Sequence, residues 1–332
     1  MRENTEVFNK KFIFFFDVND TMFIGDTAKG VNKQIAILKL LAEQFSAIWD
    51  TSITREAITF KQLVEQYLCP GDKRTPLVQN ARNEQYLRFI AFMEERKHPL
   101  LEEIKTHYDN IQANTQTGHI PLSFIRFLNY LQESEYNYTI IFRTFGNDIE
   151  AVENELIENT SLKLQHRAKF NQGSLCLNDG SILRTPHDLL NYVQPFEHGV
   201  WQDNFADWKA TGESYLGGKP YPIDLNDDER VSIFFDDNVE KQIISVKPTT
   251  TNEMSQEGLQ EQLMHSGRIV SVNTFSVCTD ADYFIRSFEL ACRSSLKQEN
   301  RRSPLQQYST FGGQTRLVSA SVTASTLDVG SP

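Results

Sequence analysis

The sequence predicts an α/β fold in which a parallel sheet has helices on both faces. Three short apolar runs, at residues 12–16, 138–142 and 231–235, are typical of strands buried on both sides. Helical periodicity fills much of the chain between them, as expected for parallel strands joined by helical crossovers. We therefore expect these runs to lie side by side, with a fourth candidate strand at residues 268–272.

The composition narrows the class of protein. The chain has 332 residues, of which 39% are hydrophobic, so it can build a full core and is not disordered throughout. The net charge of −11 argues against binding along a nucleic-acid backbone, which requires clustered Lys and Arg. No apolar run approaches the roughly 20 residues of a membrane span. We expect a soluble, cytoplasmic protein that binds neither nucleic acid nor membrane. The oligomeric state is left open.

A long helical insertion is predicted between the first two strands. Apolar residues recur on one helical face from Val31 to Ile48. A helix capped by Thr54 is expected to end at Leu68, before Pro70 and Gly71, and residues 83–97 repeat the helical pattern. We therefore assign residues 27–116 to an inserted helical domain and residues 1–26 and 117–297 to the α/β core.

The second half of the chain continues the alternation of strands and helices. Residues 121–131 form a crossover helix before the second strand, and a further helix opens after Asn147. Asn178, Asp179 and Gly180 predict a hairpin turn. Residues 280–296 are expected to form a closing helix. Hydrophobic periodicity is lost from Gln298 onward, which predicts a disordered tail at residues 298–332.

Polar side chains cluster where the predicted strands end. Asp17 follows the first strand, Thr144 follows the second, and the pair Asp236 and Asp237 follows the strand at 231–235. Ligands of open α/β sheets bind at the carboxyl ends of the strands, so these side chains should meet. Gathered carboxylates are costly unless a cation neutralises them, and hard oxygen ligands suit Mg²⁺. A carboxylate there can attack a phosphoryl group, with Lys219 holding the phosphoryl oxygens.

The order of these motifs resembles that of the haloacid dehalogenase-like (HAD) superfamily. The family pattern is Asp-x-x-x-Thr after a first strand, Thr after a second, then Lys, then Asp-Asp. Here it spans residues 8–26 and 117–295, with the flanking strings FFFDVNDTMFIGD, GGKPYPI and IFFDDN. The resemblance implies a three-layer α/β/α, Rossmann-like fold with a cap domain, and residues 27–116 lie where such a cap would be inserted.

The resemblance also implies roles for individual residues. Asp17 is expected to be the nucleophile and a Mg²⁺ ligand, and Asp237 a second side-chain ligand. Asp236 would bind the metal through water or support the ligands. The backbone carbonyl of Asn19 would complete the protein's contribution to the metal.

The phosphate-binding residues follow from the same comparison. Thr144 supplies the hydroxyl of the second motif, beside Phe145, and Lys219 supplies the cation of the third. Lys209 is a competing candidate for that cation. Lys219 is favoured because the flanking Gly and Pro residues place it on a tight loop and fix its backbone.

One position departs from the family pattern. Asn19 stands where the family usually has the Asp that acts as general acid and base, and an amide cannot exchange a proton near neutral pH. Asp20 is a poor substitute, because adjacent strand residues point to opposite faces.

The sequence leaves two functions open. The first is a Mg²⁺-dependent phosphohydrolase or phosphotransferase that acts through an aspartyl phosphate on a small phosphorylated metabolite, slowed by Asn19. The alternative is a non-catalytic protein of the same fold that binds metal and a phosphorylated ligand or a protein partner.

Overall fold

The structure, a computed structural model, describes residues 10–25, 31–72, 75–116, 118–147, 149–193, 198–227 and 229–306, with side chains to residue 294. In these ranges, no helix combines the length and apolarity needed to cross a membrane. The strands are β1 (Lys11–Asp17), β2 (Ser46–Ala47), β3 (Ile58–Thr59), β4 (Asn137–Thr144), β5 (His166–Asn171), β6 (Ser174–Leu177), β7 (Ile182–Leu183), β8 (His198–Gln202), β9 (Lys219–Ile223), β10 (Arg230–Asp236), β11 (Ile244–Pro248) and β12 (Ile269–Ser271).

The helices lie before, between and after the later strands along the chain. They are α1 (Lys33–Gln44), α2 (Phe60–Gln62), α3 (Pro76–Leu87), α4 (Phe89–Glu95), α5 (Leu101–Asn114), α6 (Leu122–Glu133), α7 (Ile149–Asn159), α8 (Pro186–Val193), α9 (Phe205–Ala210), α10 (Gln256–His265), α11 (Thr274–Thr279) and α12 (Tyr283–Gln306). A π-helix, Leu63–Leu68, continues α2.

The central sheet has eight strands in the order β12-β10-β1-β4-β8-β5-β6-β7. The strands from β12 to β5 run parallel, and β6 and β7 add an antiparallel edge. The α/β fold predicted from the sequence is therefore confirmed, although the sheet is mostly rather than entirely parallel. The four strands expected from apolar runs are β1, β4, β10 and β12, and they are neighbours in the sheet.

The strand β1 lies at the centre because its side chains are apolar on both faces. Phe12, Phe14 and Phe16 pack into one hydrophobic cluster with α6, α7 and α12. Ile13 and Phe15 pack into a second cluster on the opposite face, with α8, α10 and the two-stranded sheet of β9 and β11. Alternate residues of a strand point to opposite faces, so this one run of apolar residues ties both helical layers to the sheet.

The described part of the segment between β1 and α6 is mainly helical and has a hydrophobic cluster of its own. Trp49, Phe60, Tyr86 and Phe89 are among its buried residues. The small antiparallel pair of β2 and β3 is separate from the central sheet. Within the predicted insertion, residues 27–30 and 73–74 lie outside the described residues.

Two helix boundaries differ from the prediction. The helix expected from Thr54 begins at Phe60, because Thr59 and Gln62 form a reciprocal capping box there. Thr54 instead accepts a hydrogen bond from the amide of Glu56. The helical pattern at 83–97 belongs to two helices, α3 and α4, which meet at Arg88.

The closing helix is longer than the sequence indicates. It continues to Gln306, past residue 297 where we placed the end of the core. The described chain up to Ser295 forms one compact unit, and a second unit begins at Leu296. Residues 307–332, the rest of the predicted tail, lie outside the described residues.

Candidate functional site

Three carboxylates meet at the carboxyl ends of the central strands. Asp17 ends β1, Asp236 ends the adjacent β10, and Asp237 follows directly. One oxygen from each of the three lies within 4.8 Å of the others. The chain leaves β1 toward β4 on one side and reaches β10 on the other, so the cluster lies at a topological switch point, where ligands of such sheets bind.

Lys219 reaches this cluster from the second, smaller sheet. Its Nζ donates to Oδ1 of Asp17 and, at 2.7 Å, to Oδ2 of Asp236. The sequence placed Lys219 on a tight loop, but it is the first residue of β9. Its amide donates to the carbonyl of Ile243 at 2.6 Å. Gly218 is needed beside it, because a Cβ there would lie 2.5 Å from that same carbonyl oxygen.

The competing lysine lies elsewhere. Lys209 is on α9, where its Nζ pairs with Glu213 and lies 5.3 Å from the ring centroid of Phe205. The structure therefore brings Lys219, rather than Lys209, to the carboxylates.

Thr21 is a site residue that the sequence analysis did not single out. Its hydroxyl lies 3.3 Å from Oδ2 of Asp17 and 3.5 Å from Oδ1 of Asp237, and it accepts the amide of Asp237 at 3.1 Å. Thr21 thus connects the first motif to the last. Thr21 could have been identified from the sequence, because it is the Thr of the Asp-x-x-x-Thr pattern.

The segment after Asp17 forms a tight turn. The carbonyl of Val18 accepts the amides of Thr21, Met22 and Phe23, and Asn19 bridges to Phe23. These backbone contacts fix the position of Asn19 in the turn.

Asp20 does not lie on a strand, contrary to the reason given for discounting it. Its φ is +59°, a left-handed turn conformation, and its carbonyl accepts the hydroxyl of Thr274 at 2.7 Å. Its charge contributes to the raised pKa of Asp237. Asp20 therefore lies near the carboxylates and is again a candidate proton source.

Thr144 and Phe145 lie beside the cluster without a hydrogen bond to its carboxylates among those described. The hydroxyl of Thr144 accepts the amide of Gly146 at 2.9 Å, which closes the loop after β4 and leaves its O–H free to donate. The ring of Phe145 lies 5.4 Å from Nζ of Lys219 and is stacked on Trp208. Phe145 therefore forms an apolar wall next to the lysine.

A buried ion pair lies beneath the site and was also missed by the sequence analysis. Arg143 is adjacent to Asp17 across the sheet and is fully buried. Its guanidinium makes a bidentate contact with Asp203, with Nε 3.1 Å from Oδ2. Its Nη1 donates to the carbonyl of Pro220 at 2.8 Å. Aromatic rings surround it, with the ring centroid of Phe170 nearest at 5.1 Å.

This ion pair is the basis of a stability prediction. Asp203→Ala should lower the free energy of unfolding by about 3–5 kcal/mol, because it leaves the Arg143 guanidinium buried without its counter-charge. Arg143→Met together with Asp203→Leu removes both charges and should cost much less. Urea denaturation measures both variants. A double variant as unstable as Asp203→Ala would contradict this explanation.

Burial and mutual repulsion perturb the carboxylates. Burial raises the pKa of Asp17 from 3.8 to about 7, against the opposing charge of Lys219. Burial and the charges of Asp17 and Asp236 raise the pKa of Asp237 to about 9. Burial alone would lower the pKa of Lys219, but the neighbouring carboxylates outweigh it and raise that pKa. The lysine is therefore charged, and near neutral pH the raised pKa values keep Asp237 protonated and Asp17 partly protonated.

The charge balance fits a divalent cation. The site and the ion pair beneath it contain four carboxylates and two cations. The carboxylates are Asp17, Asp203, Asp236 and Asp237, and the cations are Arg143 and Lys219. Full ionisation leaves an excess of two negative charges. Two protons or one divalent ion can neutralise that excess, and carboxylate oxygens are the ligands that Mg²⁺ prefers. The residues present therefore fit a magnesium site.

A pH dependence follows from these shifts. The folded pKa values of Asp17 and Asp237 exceed their unfolded value of 3.8, so the metal-free fold binds more protons than the unfolded chain. Its stability should fall as the pH rises from about 4 to about 9. Mg²⁺ displaces these protons, so its affinity should increase by up to about tenfold per pH unit for each proton released. Calorimetric titrations at several pH values measure this, and a flat affinity between about pH 6 and 8 would contradict it.

Comparison with known proteins adds no relative. No family model, curated protein or solved structure matches the chain. The functional argument therefore depends on the site itself.

Proposed function

We propose that the chain is a Mg²⁺-dependent phosphohydrolase or phosphotransferase of the HAD-like class, acting on a small phosphorylated metabolite. The observation that carries the proposal is the contact of Lys219 with both Asp17 and Asp236, beside Asp237 and bridged by Thr21. These groups come from three separate segments of the chain. A nucleophilic carboxylate, a fixed cation and a carboxylate metal site are the groups that phosphoryl transfer requires.

Asp17 is the nucleophile in this proposal. One of its carboxylate oxygens forms a bond to phosphorus while the bond from phosphorus to the leaving oxygen breaks, giving an aspartyl phosphate. Water then attacks this phosphate and regenerates the carboxylate; in a phosphotransferase, an acceptor hydroxyl replaces the water. Asp17, Asp237 and the carbonyl of Asn19 would hold Mg²⁺, which would neutralise charge on the phosphoryl oxygens.

Lys219 and Thr144 bind the phosphoryl group. The ammonium of Lys219 is charged and held in place by two carboxylates, so it stabilises developing negative charge without reorganising. The hydroxyl oxygen of Thr144 accepts a hydrogen bond from the amide of Gly146, which fixes it in place. Its O–H donates a hydrogen bond to a phosphoryl oxygen. The ring of Phe145 keeps water from one side of Lys219.

The helical segment at 27–116 serves as a cap that selects the substrate. Two contacts support this role. The side chain of Asn114, at the end of α5, donates to the carbonyl of Cys278 on α11 at 3.0 Å. The first residue of α11, Thr274, donates to the carbonyl of Asp20 in the catalytic turn. The insertion is thus linked to the turn that carries Asn19.

Asn19 favours a second candidate, a non-catalytic protein that binds metal and a phosphorylated ligand or partner. An amide at this position removes a proton-transfer group that contributes roughly 10²–10⁴-fold to rate. Intact Asp17, Lys219 and Asp237 favour the enzyme. A panel of phosphate esters, assayed with and without Mg²⁺, decides between the two.

Metal binding is the most direct test of the proposed site. Asp237→Ala should weaken Mg²⁺ binding at least about 10–100-fold, because even the supporting partners of ligands contribute that much. Asp227→Ala is the matched control, since its carboxylate pairs with Arg230 in a turn outside the site. Calorimetric titration of Mg²⁺ measures both variants. Equal affinity in wild type and Asp237→Ala would reject the metal assignment.

A further inference from the structure

The buried pair of Arg143 and Asp203 contacts the backbone of each segment that handles phosphate. The carbonyl of Arg143 accepts the amide of Val18, the residue after Asp17, at 3.0 Å. Its guanidinium donates to the carbonyl of Pro220, the residue after Lys219. The amide of Asp203 donates to the carbonyl of Thr144 at 2.7 Å.

We propose that Arg143 and Asp203 are positioning residues whose side chains hold Thr144 and Lys219 in the placement relative to Asp17 that is needed to bind a phosphoryl group. This inference rests on the proposed function and names the groups that set its geometry. The three segments come from β1, β4 and the small sheet, which are separate in sequence. The guanidinium and the Asp203 carboxylate connect the last two of them directly.

Asp203 has a second task, which is to hold the guanidinium away from the nucleophile. Arg143 and Asp17 are paired across β1 and β4, and alternation places both side chains on the same face. A guanidinium binds carboxylates readily in a bidentate geometry. Because Asp203 engages it with both oxygens, Asp17 keeps Lys219 as its cation. Losing Asp203 alone would free the guanidinium to turn toward Asp17.

The test uses a variant that removes both buried charges together. Arg143→Met with Asp203→Leu leaves the net charge around Asp17 and Lys219 unchanged and removes the side-chain contacts to Pro220. Orthovanadate, a phosphoryl analogue, is titrated against the full chain in the presence of Mg²⁺, and Mg²⁺ is titrated alone. The double variant should bind vanadate roughly 10–100-fold more weakly, the usual effect of losing groups that orient a binding residue. Its Mg²⁺ affinity should stay within about threefold, because the lost side-chain contacts are those to Asp203 and Pro220, whereas the segment of Asp17 keeps its backbone hydrogen bond to the carbonyl of Arg143.

A matched control separates positioning from loss of a buried arginine. Arg82 is buried in the helical segment and donates to backbone carbonyls, including those of Cys69 and Gly71. Arg82→Met should lower the melting temperature and leave vanadate affinity unchanged. Arg143→Lys, which keeps the charge but cannot make the bidentate contact with Asp203 in addition to the contact with Pro220, should lose vanadate affinity at unchanged Mg²⁺ affinity. If the double variant does not fold, Arg143→Lys tests the proposal instead.

The outcomes distinguish failure of the positioning role from failure of the proposed function. A wild type that binds Mg²⁺ and vanadate, with a folded double variant that binds vanadate equally well, overturns the positioning role alone. Equal weakening of vanadate and Mg²⁺ binding in the double variant also overturns it, because that result indicates general loss of structure. A wild type that binds neither probe overturns the proposed function, and the positioning role with it.

Discussion

Asp17→Asn should reduce phosphoryl transfer to background, a loss of at least about 10⁴-fold, since removing a covalent nucleophile has effects of this size. The amide keeps an oxygen that accepts the hydrogen bond from Lys219, so the fold should survive. The variant also removes a charge that repels Asp236 and Asp237. The melting temperature of the metal-free protein should therefore stay constant or increase while activity disappears. Steady-state assays and thermal denaturation on the same preparation measure both effects.

A matched substitution controls for the change of Asp to Asn. Asp224→Asn alters a carboxylate that accepts the amide of Asn226 in an exposed turn, so activity should remain at the wild-type level. Acid-quenched protein incubated with a labelled phosphate ester should carry acyl phosphate in wild type and none in Asp17→Asn. Turnover retained by Asp17→Asn would exclude Asp17 as the nucleophile.

The centre of the fold could be predicted because its strands are apolar on both faces. The runs at 12–16, 138–142 and 231–235 read as buried strands without any tertiary information. The strands on the far side of β4, from β8 to β7, gave no such pattern. In β5, only Ala168 and Phe170 are buried among polar residues, and β8 is a five-residue strand that includes His198 and Gln202. Their strand structure depends on pairing with neighbours, which a local pattern does not contain.

The site was predictable where its residues belong to local motifs. Asp17, Asp236 and Asp237 follow apolar strands directly, and Lys219 is flanked by glycine and proline. The pair of Arg143 and Asp203 was not predictable, because its partners are 60 residues apart and an arginine at a strand end normally suggests solvent. Burial of that arginine is a property of the packed aromatic residues around it rather than of its sequence neighbours.

Asp20 shows how a sequence pattern can be read with the wrong local geometry. We treated residues 17–20 as extended, whereas the chain turns immediately after Asp17. The multiple amides that converge on the carbonyl of Val18 require that turn. The alternation rule therefore stops at Asp17, and the proton source for the proposed reaction becomes an experimental question between Asp20 and solvent.

Asn19→Asp should raise turnover on alkyl phosphates by roughly 10²–10⁴-fold, the contribution of a positioned general acid and base. Wild type should be slow on these esters, because their leaving oxygen needs a proton that an amide cannot supply. Aryl and acyl phosphates have leaving groups that need little protonation, so wild type and variant should differ much less on them. The ratio of kcat/KM for alkyl and aryl esters measures the effect independently of enzyme concentration.

Asp20→Asn is the decisive companion to this variant. If Asp20 supplies the proton in wild type, Asp20→Asn should slow alkyl-phosphate turnover and Asn19→Asp should then restore it. If solvent supplies the proton, Asp20→Asn should change little. A carboxyl introduced at position 19 would experience the repulsion that raises the pKa of Asp237, which favours its protonated, donating form. Wild type and Asn19→Asp that both bind Mg²⁺ yet turn over no ester would instead establish the non-catalytic alternative, in which the same residues hold a phosphorylated ligand without cleaving it.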